Sequence, residues 1–173
     1  GQWERALELL EEMQSRGLRP DVIVFSAAIS ACAKGAQWER ALSLLEEMRA
    51  QGVQPNVVSF SAAISACEKG GQWERGLALL EEMRTRGLEP SVMSFNAAIS
   101  ACEKGAQWER ALELLAEMQA RGLQPTVSSY SAAISACEKG MQWERALSLL
   151  TEMRSKGVEP NVINFNGAIS ACE

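Results

Sequence analysis

The sequence predicts an all-α fold, an α-solenoid of tandem helix-turn-helix hairpins with about ten helices. Its basis is an exact internal period, apolar residues at helical spacing within each period, and glycine and proline after each apolar stretch. The segment Gln-Trp-Glu-Arg recurs at intervals of 35 residues, with tryptophan at Trp3, Trp38, Trp73, Trp108 and Trp143. Repeats of about 20 to 50 residues are typical of solenoids, in which each unit buries its apolar face only against its neighbours. Function is therefore expected on a repeated surface, not in one pocket.

Composition agrees with a folded, soluble chain. The sequence has 173 residues, of which 47% are hydrophobic and 23% charged, as in ordinary globular proteins with a continuous core. No run approaches the roughly 20 apolar residues of a membrane-spanning helix, so no membrane partner is expected. The chain begins at Gly1 inside one repeat and stops at Glu173 inside another, so we expect both ends to be cuts in a longer array. The absence of a targeting signal is therefore uninformative about compartment.

The first helix of each hairpin is predicted from the repeat that starts at position 22. Phe25, Ala28, Ile29 and Cys32 follow the i, i+3, i+4, i+7 spacing that places side chains on one helical face. Gly35 is expected to end this helix as a left-handed cap. Alanines are expected where neighbouring first helices lie close together, at Ala27, Ala28, Ala31, Ala62, Ala63, Ala66, Ala97, Ala98, Ala101, Ala132, Ala133 and Ala136.

The second helix is predicted to start near Ala36 and to form the other wall of the solenoid. Gly52 ends it, Val53 folds back on its last turn, and Pro55 prevents its continuation. The tryptophans belong either to the core or to a stacking platform, and the stripe that they share with leucine and methionine favours the core. The stripe in the first complete repeat consists of Trp38, Ala41, Leu42, Leu45 and Met48.

The chain is predicted to be a single repeat array over 1–173. A lone second helix (about 2–16) and a lone first helix to Cys172 flank four complete hairpins. Because both end helices expose faces meant for a neighbour, we expect end-to-end self-association or fraying. The boundaries are a half repeat 1–21, complete repeats 22–56, 57–91, 92–126 and 127–161, and a half repeat 162–173.

No catalytic residue, metal or cofactor is expected. The sequence has no histidine, which removes the usual general base and the common metal-binding helix motif. Paired glutamates such as Glu46 and Glu47 are interpreted as a solvated face beside Arg49 and Arg84, as are Glu11, Glu12, Glu81 and Glu82. The cysteines occur once per repeat without C-x-x-C spacing, which favours small buried side chains in a reducing compartment. They are Cys32, Cys67, Cys102, Cys137 and Cys172.

Other residues carry a family resemblance. An aromatic and a short polar residue open each first helix, and Ala41-Leu42, Glu47-Met48, Gly52 and Pro55 recur in each full repeat with few changes. On these residues the whole chain resembles the pentatricopeptide repeat proteins, helical hairpins of this length that bind single-stranded RNA. Tetratricopeptide repeats have a shorter period and a different aromatic and proline pattern. The resemblance implies a right-handed solenoid and a sequence-specific, non-enzymatic RNA-binding module for organelle RNA processing, stability or editing, in chloroplast or mitochondrion.

Two positions differ between repeats only among short polar residues. One follows the aromatic residue and the other follows the proline. The resemblance implies that this pair selects one RNA base per repeat. Helix N-capping is an alternative for the position after the proline, but it leaves the restricted position inside the helix unexplained. The residues are Ser26, Ser61, Asn96, Ser131 and Asn166 after the aromatic residue, and Asp21, Asn56, Ser91, Thr126 and Asn161 after the proline.

By analogy with the family's pairing rules, the hypothetical target is 5′-(U/G)-A-N-(C/U)-A-(C/U)-3′, read from the N-terminal to the C-terminal repeat. The assignments are adenine for Ser26 with Asn56 and for Ser131 with Asn161, a pyrimidine for Asn96 with Thr126 and for Asn166, uracil or guanine for Asp21, and no assignment for Ser61 with Ser91.

The resemblance implies two further contact series. An apolar side chain that wedges against the base stands at Ile23, Val58, Met93 and Ile163, whereas Ser128 departs from this pattern. A phosphate-contacting lysine stands at Lys34, Lys69, Lys104 and Lys139. A favourable charge at a helix C-terminus is an equal alternative for the lysines.

The charge of the chain supports a rival function. A net charge of −5 opposes binding to a polyphosphate and favours a protein-binding helical-repeat scaffold. Most glutamates, however, lie on the second helices, whereas the candidate RNA wall carries serine, asparagine and lysine. The exceptions on this wall are Glu68, Glu103 and Glu138, each next to a lysine. RNA binding therefore leads, and protein partners remain the alternative.

Overall fold

The computed structural model describes residues 2–172, which form ten α-helices and contain no strand. The all-α class and the number of helices are confirmed. None of the described helices combines the length and the apolar character needed to cross a bilayer. The helices are α1 Gln2–Ser15, α2 Val22–Lys34, α3 Trp38–Ala50, α4 Val57–Lys69, α5 Trp73–Thr85, α6 Val92–Lys104, α7 Trp108–Ala120, α8 Val127–Lys139, α9 Trp143–Ser155 and α10 Val162–Ser170.

The helices form two compact units, which divide between Pro90 and Ser91. In the first unit α1 packs on α2, and α2 packs both on its hairpin partner α3 and on the next first helix, α4. In the second unit α6 packs on α7 and α8, and α8 packs on α9 and α10. Within each unit, consecutive first helices therefore form one continuous wall, as expected for a solenoid of stacked hairpins.

Both helices of each hairpin contribute to the core, the second helices with leucine and methionine such as Leu45 and Met48, and the first helices with an aromatic, isoleucine and cysteine stripe. Phe25, Ile29 and Cys32 are fully buried in α2, and Phe95 and Ile99 occupy the same positions in α6. The alanine beside this stripe is buried in every complete repeat, at Ala28, Ala63, Ala98 and Ala133. Small side chains at these points let neighbouring first helices approach closely, as predicted. The prediction does not hold for Ala27, which is exposed, or fully for Ala31 and Ala132, which are half-buried.

The cysteines mostly behave as small core residues. Four of the five are buried, and Cys172 is exposed. Burial raises the pKa of the Cys67, Cys102 and Cys137 thiols from the ordinary value of 9.0 to about 11, and it raises the pKa of Cys32 as well. These buried side chains are therefore protonated, poorly nucleophilic thiols at neutral pH.

The glycine that ends each first helix does not have the predicted conformation. Gly35 has φ −82°, so it is not a left-handed cap. The left-handed residue is the next one, Ala36, with φ 56°. The second helix consequently begins at Trp38, after Gln37, and not near Ala36. At the other end of the hairpin, Gly52 has φ 76°, and the N–H of the following residue, Val53, donates to Met48 O at 2.9 Å, both as predicted.

Contact with a tryptophan, and not a left-handed backbone, explains why glycine occupies the ends of these first helices. A Cβ atom built on Gly35 would lie 2.3 Å from Trp3 Cδ1, and one on Gly70 would lie 2.2 Å from Trp38 Cδ1. Gly140 meets Trp108 in the same way, at 2.3 Å. Each of these tryptophans therefore packs on the end of the first helix in the following hairpin, where only glycine leaves room.

The tryptophans lie at the rim of the interface between hairpins, so the prediction of a core position is only partly right. Trp38 is half-buried, and the Arg75 guanidinium covers its ring at 4.8 Å from the centroid. Trp143, in the last hairpin, is 49% exposed. The first turn of a second helix lies at the edge of the stack, which limits the burial of even a large aromatic ring.

The paired glutamates on the second helices are not one solvated face. Glu46 is exposed and pairs with Arg49, as predicted. Glu82 is only 29% exposed, and its Oε1 forms an ion pair with Arg49 Nη2 at 2.7 Å across neighbouring hairpins. Gln14 Nε2 donates to Glu47 Oε1 at 2.6 Å in the same manner. Adjacent residues point about 100° apart around a helix, so one glutamate faces solvent while the next links two repeats.

Candidate functional site

Each of the five candidate base-selecting residues that follow a proline is a helix N-cap. Asp21, Asn56, Ser91, Thr126 and Asn161 cap α2, α4, α6, α8 and α10, and each accepts backbone N–H bonds from the first turn. Such caps stabilise a helix by about 1 kcal/mol. The capping alternative is therefore correct for this position, and any ligand contact must use the polar atoms that capping leaves free.

Capping leaves a different group free on each type of side chain. Asn56 Oδ1 accepts from the backbone N–H of Ser59 at 3.0 Å, and Asn161 Oδ1 accepts from the N–H of Asn164 at 3.1 Å. The amide nitrogen of each asparagine remains as a donor. Asp21 uses Oδ1 for two N–H groups, so its second carboxylate oxygen remains as an acceptor. The identity of the cap thus determines which polarity a ligand meets.

The candidate base-selecting residues that follow the aromatic residue lie near the N-termini of the first helices. The hydroxyls of Ser26, Ser61 and Ser131 donate to the carbonyl oxygen four residues earlier, at 2.6, 2.7 and 2.8 Å. A hydroxyl that has donated its single proton offers only lone pairs to a ligand. Access differs along the wall, because Ser26 is only 6% exposed and Ser61 only 2%, whereas Ser131 is half-exposed and Asn166 is fully exposed.

The structure brings three of the predicted pairs together. Ser26 and Asn56 both contact Ser59 in the first unit. Asn96 Nδ2 donates to Thr126 Oγ1 at 3.2 Å in the second unit. Ser61 belongs to the first unit and Ser91 to the second. Within 2–172, Asp21 and Asn166 have no partner position, as predicted.

The pair Ser131 and Asn161 borders an open depression. Its volume is about 370 Å³, and the side chains around it include Ser131, Asn161, Ile163, Ser128 and Glu103. A hydrogen-bond acceptor, a donor and an exposed apolar side chain therefore meet in one recess.

The predicted apolar series follows the caps. Ile23, Val58, Met93 and Ile163 are the second residues of their helices and are 57% to 73% exposed. Ser128 is exposed at the equivalent point of α8. Single exposed apolar residues are normal, but a row at one position beside polar caps is a surface suited to flat aromatic ligands.

The four predicted lysines are the last residues of α2, α4, α6 and α8, and all are exposed. Their electrostatic surroundings differ. Lys139 Nζ forms an ion pair with Glu103, whose side chain is 17% exposed. Position 33, the counterpart of Glu103 for Lys69, is alanine. Lys69 therefore keeps a charge that Lys139 partly shares with a carboxylate.

Sequence reasoning missed one series at this site. The third residues of α4, α6, α8 and α10 complete a capping box with the cap of their own helix. A capping box usually has glutamate or glutamine at this position, and the short polar residues here hid the motif. Their recurrence at the repeat interval was the available signal. They are Ser59, Ser94, Ser129 and Asn164.

Family profiles match the chain over the same repeats. The sequence profile described as Pentatricopeptide repeat domain matches residues 8–72, 78–141 and 113–173, and the profile described as PPR repeat matches 58–88. No curated protein matched the chain. The profile matches alone cover most of the sequence.

Solved structures agree in fold. The pentatricopeptide repeat protein PPR10 from maize is 33% identical, with a TM-score of 0.77 over 98% of this chain and 24% of its own. PPR10 in complex with an 18-nt psaJ RNA element is 31% identical, with a TM-score of 0.81 over 99% of this chain and 25% of its own.

A third structure is similar in fold alone. The PPR domain of Arabidopsis thaliana protein-only RNase P 1, in complex with tRNA, is 15% identical, with a TM-score of 0.84 over 99% of this chain and 90% of its own. The present chain spans about a quarter of the length of the PPR10 chains that it matches. From its repeats, its helical hairpins and these matches, the chain belongs to the pentatricopeptide repeat family.

Proposed function

We propose that this chain is a single-stranded RNA-binding module that selects bases through its helix caps and serves an organellar RNA-processing protein. The observation that carries the proposal is the recess of Ser131, Asn161 and Ile163, in which a free acceptor, a free donor and an apolar side chain converge. The structure of PPR10 with an RNA element supports the choice of ligand.

The polarity of this recess favours adenine. Ser131 offers lone pairs to the exocyclic amino group of adenine, and the Asn161 amide donates to its ring nitrogen. Guanine and uracil present the opposite order of donor and acceptor on the same edge. Cytosine has the order of adenine, so size must separate these two bases. The short side chain of Ser131 leaves room for a purine, which the longer amide of Asn96 would reduce in its own repeat.

The remaining features bind any base. The exposed apolar residue beside each cap packs on the face of a base, a contact that is sequence-tolerant because every base has a π-face. The exposed lysines contribute to phosphate binding. We assign the chain to binding without catalysis, and we place the whole protein in a chloroplast or mitochondrion, on its family membership.

Replacing adenine tests the base assignment. An oligonucleotide that contains 5′-UAACAC-3′ is compared, at low salt, with one in which the second and fifth nucleotides are uracil, by fluorescence anisotropy. Because each mismatch typically costs about 1 to 3 kcal/mol, the Kd should rise at least roughly tenfold. Most of the loss should come from the fifth nucleotide, opposite Ser131 and Asn161, because Ser26 is buried.

The controls separate the proposal from its rival. A third oligonucleotide, with uracil at the unassigned third nucleotide only, should bind like the first. Equal affinity for all three would reject base selection by these pairs. Absence of RNA binding at low salt would favour the protein-binding scaffold, which the net charge of −5 supports.

The lysines allow a test of phosphate contact. Lys69→Gln is expected to reduce the slope of log K against log salt by about 0.7, the value for one phosphate contact on a single strand. Lys139→Gln should reduce it less, because Glu103 already neutralises part of that charge. Titrations at several salt concentrations measure both slopes. Identical slopes for Lys69→Gln and the unmodified chain would leave the lysine with only its helix C-terminal role.

A further inference from the structure

Each base-selecting pair that lies within one unit is joined by a third, buried residue. These residues are Ser59, Ser129 and Asn164, at the third position of α4, α8 and α10. We infer that they are positioning residues, which fix the orientation of the base-selecting side chain on the preceding first helix and thereby set its specificity. The inference rests on the proposed function of the pairs.

Ser129 contacts both members of its pair. Its hydroxyl donates to Asn96 Oδ1 at 2.5 Å and accepts from the backbone N–H of Thr126 at 2.9 Å. Ser129 is fully buried, so it cannot itself touch a ligand. Any influence that it has on a bound base must pass through Asn96 or Thr126.

Asn164 and Ser59 repeat the arrangement. Asn164 Nδ2 donates to Ser131 Oγ at 2.9 Å, while its Oδ1 accepts from the backbone N–H of Asn161 at 2.8 Å. Ser59 Oγ lies 2.9 Å from Ser26 Oγ, to which it can donate, and it accepts from the backbone N–H of Asn56 at 3.3 Å. Both residues are fully buried. A link across a helix pair thus recurs wherever a pair lies within one unit.

The link decides how the Asn96 amide is turned. A primary amide has a donor end and an acceptor end of nearly equal size, so its neighbours determine the orientation. The Ser129 hydroxyl donates to the oxygen end, which directs the nitrogen end toward Thr126 Oγ1 at 3.2 Å. A residue at position 129 that could only accept would attract the nitrogen end and turn the amide over. The base would then meet donor and acceptor in exchanged positions.

Two substitutions of nearly equal shape separate these orientations. Ser129→Asn retains a donor toward Asn96 and uses the residue type found at the equivalent position, Asn164. Ser129→Asp supplies only acceptors, yet it can still accept from the Thr126 N–H, and a carboxylate is favourable in the first turn of a helix. Circular dichroism checks that both variants, made in the full chain, retain the helices.

The readout is base preference, not affinity. Oligonucleotides that carry cytosine or uracil at the fourth nucleotide are titrated by anisotropy, and the ratio of the two Kd values is compared, because these bases have the same size and present donor and acceptor in opposite order. We expect the same ratio, within roughly twofold, for the unmodified chain and Ser129→Asn, and a change in this ratio of roughly fivefold or more for Ser129→Asp. The added negative charge weakens binding of every oligonucleotide, so it cancels in the ratio. The adenine preference at the fifth nucleotide serves as an internal control and should not change.

The outcomes are distinguishable. Equal ratios for Ser129→Asp and Ser129→Asn would overturn the positioning role while leaving the proposed function intact. An unmodified chain that shows no adenine preference at the fifth nucleotide and binds purine and pyrimidine equally at the fourth would overturn the proposed function itself. If Ser129→Asp does not fold, Asn164→Asp replaces the donor to Ser131 by an acceptor, and it should lower the adenine preference at the fifth nucleotide at least roughly threefold. An unchanged preference in that variant would equally overturn the inference.

Discussion

Gly70→Ala is expected to lower the free energy of unfolding by about 1 to 3 kcal/mol, the usual effect of overpacking a close contact. A Cβ at this position would lie 2.2 Å from Trp38 Cδ1 and 2.6 Å from Trp38 Cγ. Both atoms are near the base of the tryptophan side chain, and the Arg75 guanidinium lies over the same ring. The ring therefore cannot move aside without opening the interface between two hairpins. Urea denaturation followed by circular dichroism measures the loss.

The neighbouring glycine supplies a matched control. Gly71 has φ 69° and open space around its Cα, and other repeats hold Ala36 and Ala106 at the same position with positive φ. Gly71→Ala is expected to cost about 1 kcal/mol from its left-handed backbone alone, and this cost should not depend on Trp38. In a Trp38→Ala background the cost of Gly70→Ala should nearly vanish, because the clashing ring is gone. A cost of Gly70→Ala that is unchanged in the Trp38→Ala background would show that the tryptophan contact does not limit this position.

Transferring the residue types at positions 96, 126 and 129 to the equivalent positions 131, 161 and 164 is expected to change the preferred base. The triple variant Ser131→Asn, Asn161→Thr, Asn164→Ser gives the last complete hairpin the trio Asn96, Thr126 and Ser129. The fifth nucleotide should then change from adenine to a pyrimidine, a change in relative Kd of about tenfold or more. Helix α10 should remain capped, since Thr126 and Ser129 form the same capping box on α8. Anisotropy titrations with all four bases at that nucleotide give the preference.

The double variant without Asn164→Ser is the informative control. Asn164 can donate to the introduced amide at position 131, as Ser129 does to Asn96, so the double variant should show the same direction of change. A triple variant that still prefers adenine would contradict the assignment of specificity to these side chains. Equally weaker binding of oligonucleotides with any of the four bases would indicate that the substitutions damage the binding surface without changing its base specificity.

The sequence was sufficient for the helices and for the choice of a candidate site. Helical spacing and the glycine and proline positions predicted ten helices, and the bounds deviated at the start of each second helix and at the end of α10, which is Ser170 and not Cys172. The variable short polar positions led to Ser131 and Asn161, which the structure brings to one recess with Ile163. These features depend on residues that are close in the chain, so their spacing alone determines which side chains share a face.

Contacts between repeats required the tertiary structure. The position of Gly35 in the sequence predicted a left-handed cap, but its φ is negative. Glycine is required there because a tryptophan of the preceding repeat occupies the space that a Cβ atom would need. Likewise, nothing in the spacing of Asn96 and Ser129 indicates that one orients the other. Such residues become neighbours only after two hairpins stack, and the stacking geometry is set by packing. The sequence by itself thus determined which residues are repeated and which vary, whereas only the tertiary structure decided which atoms remain free to meet a base.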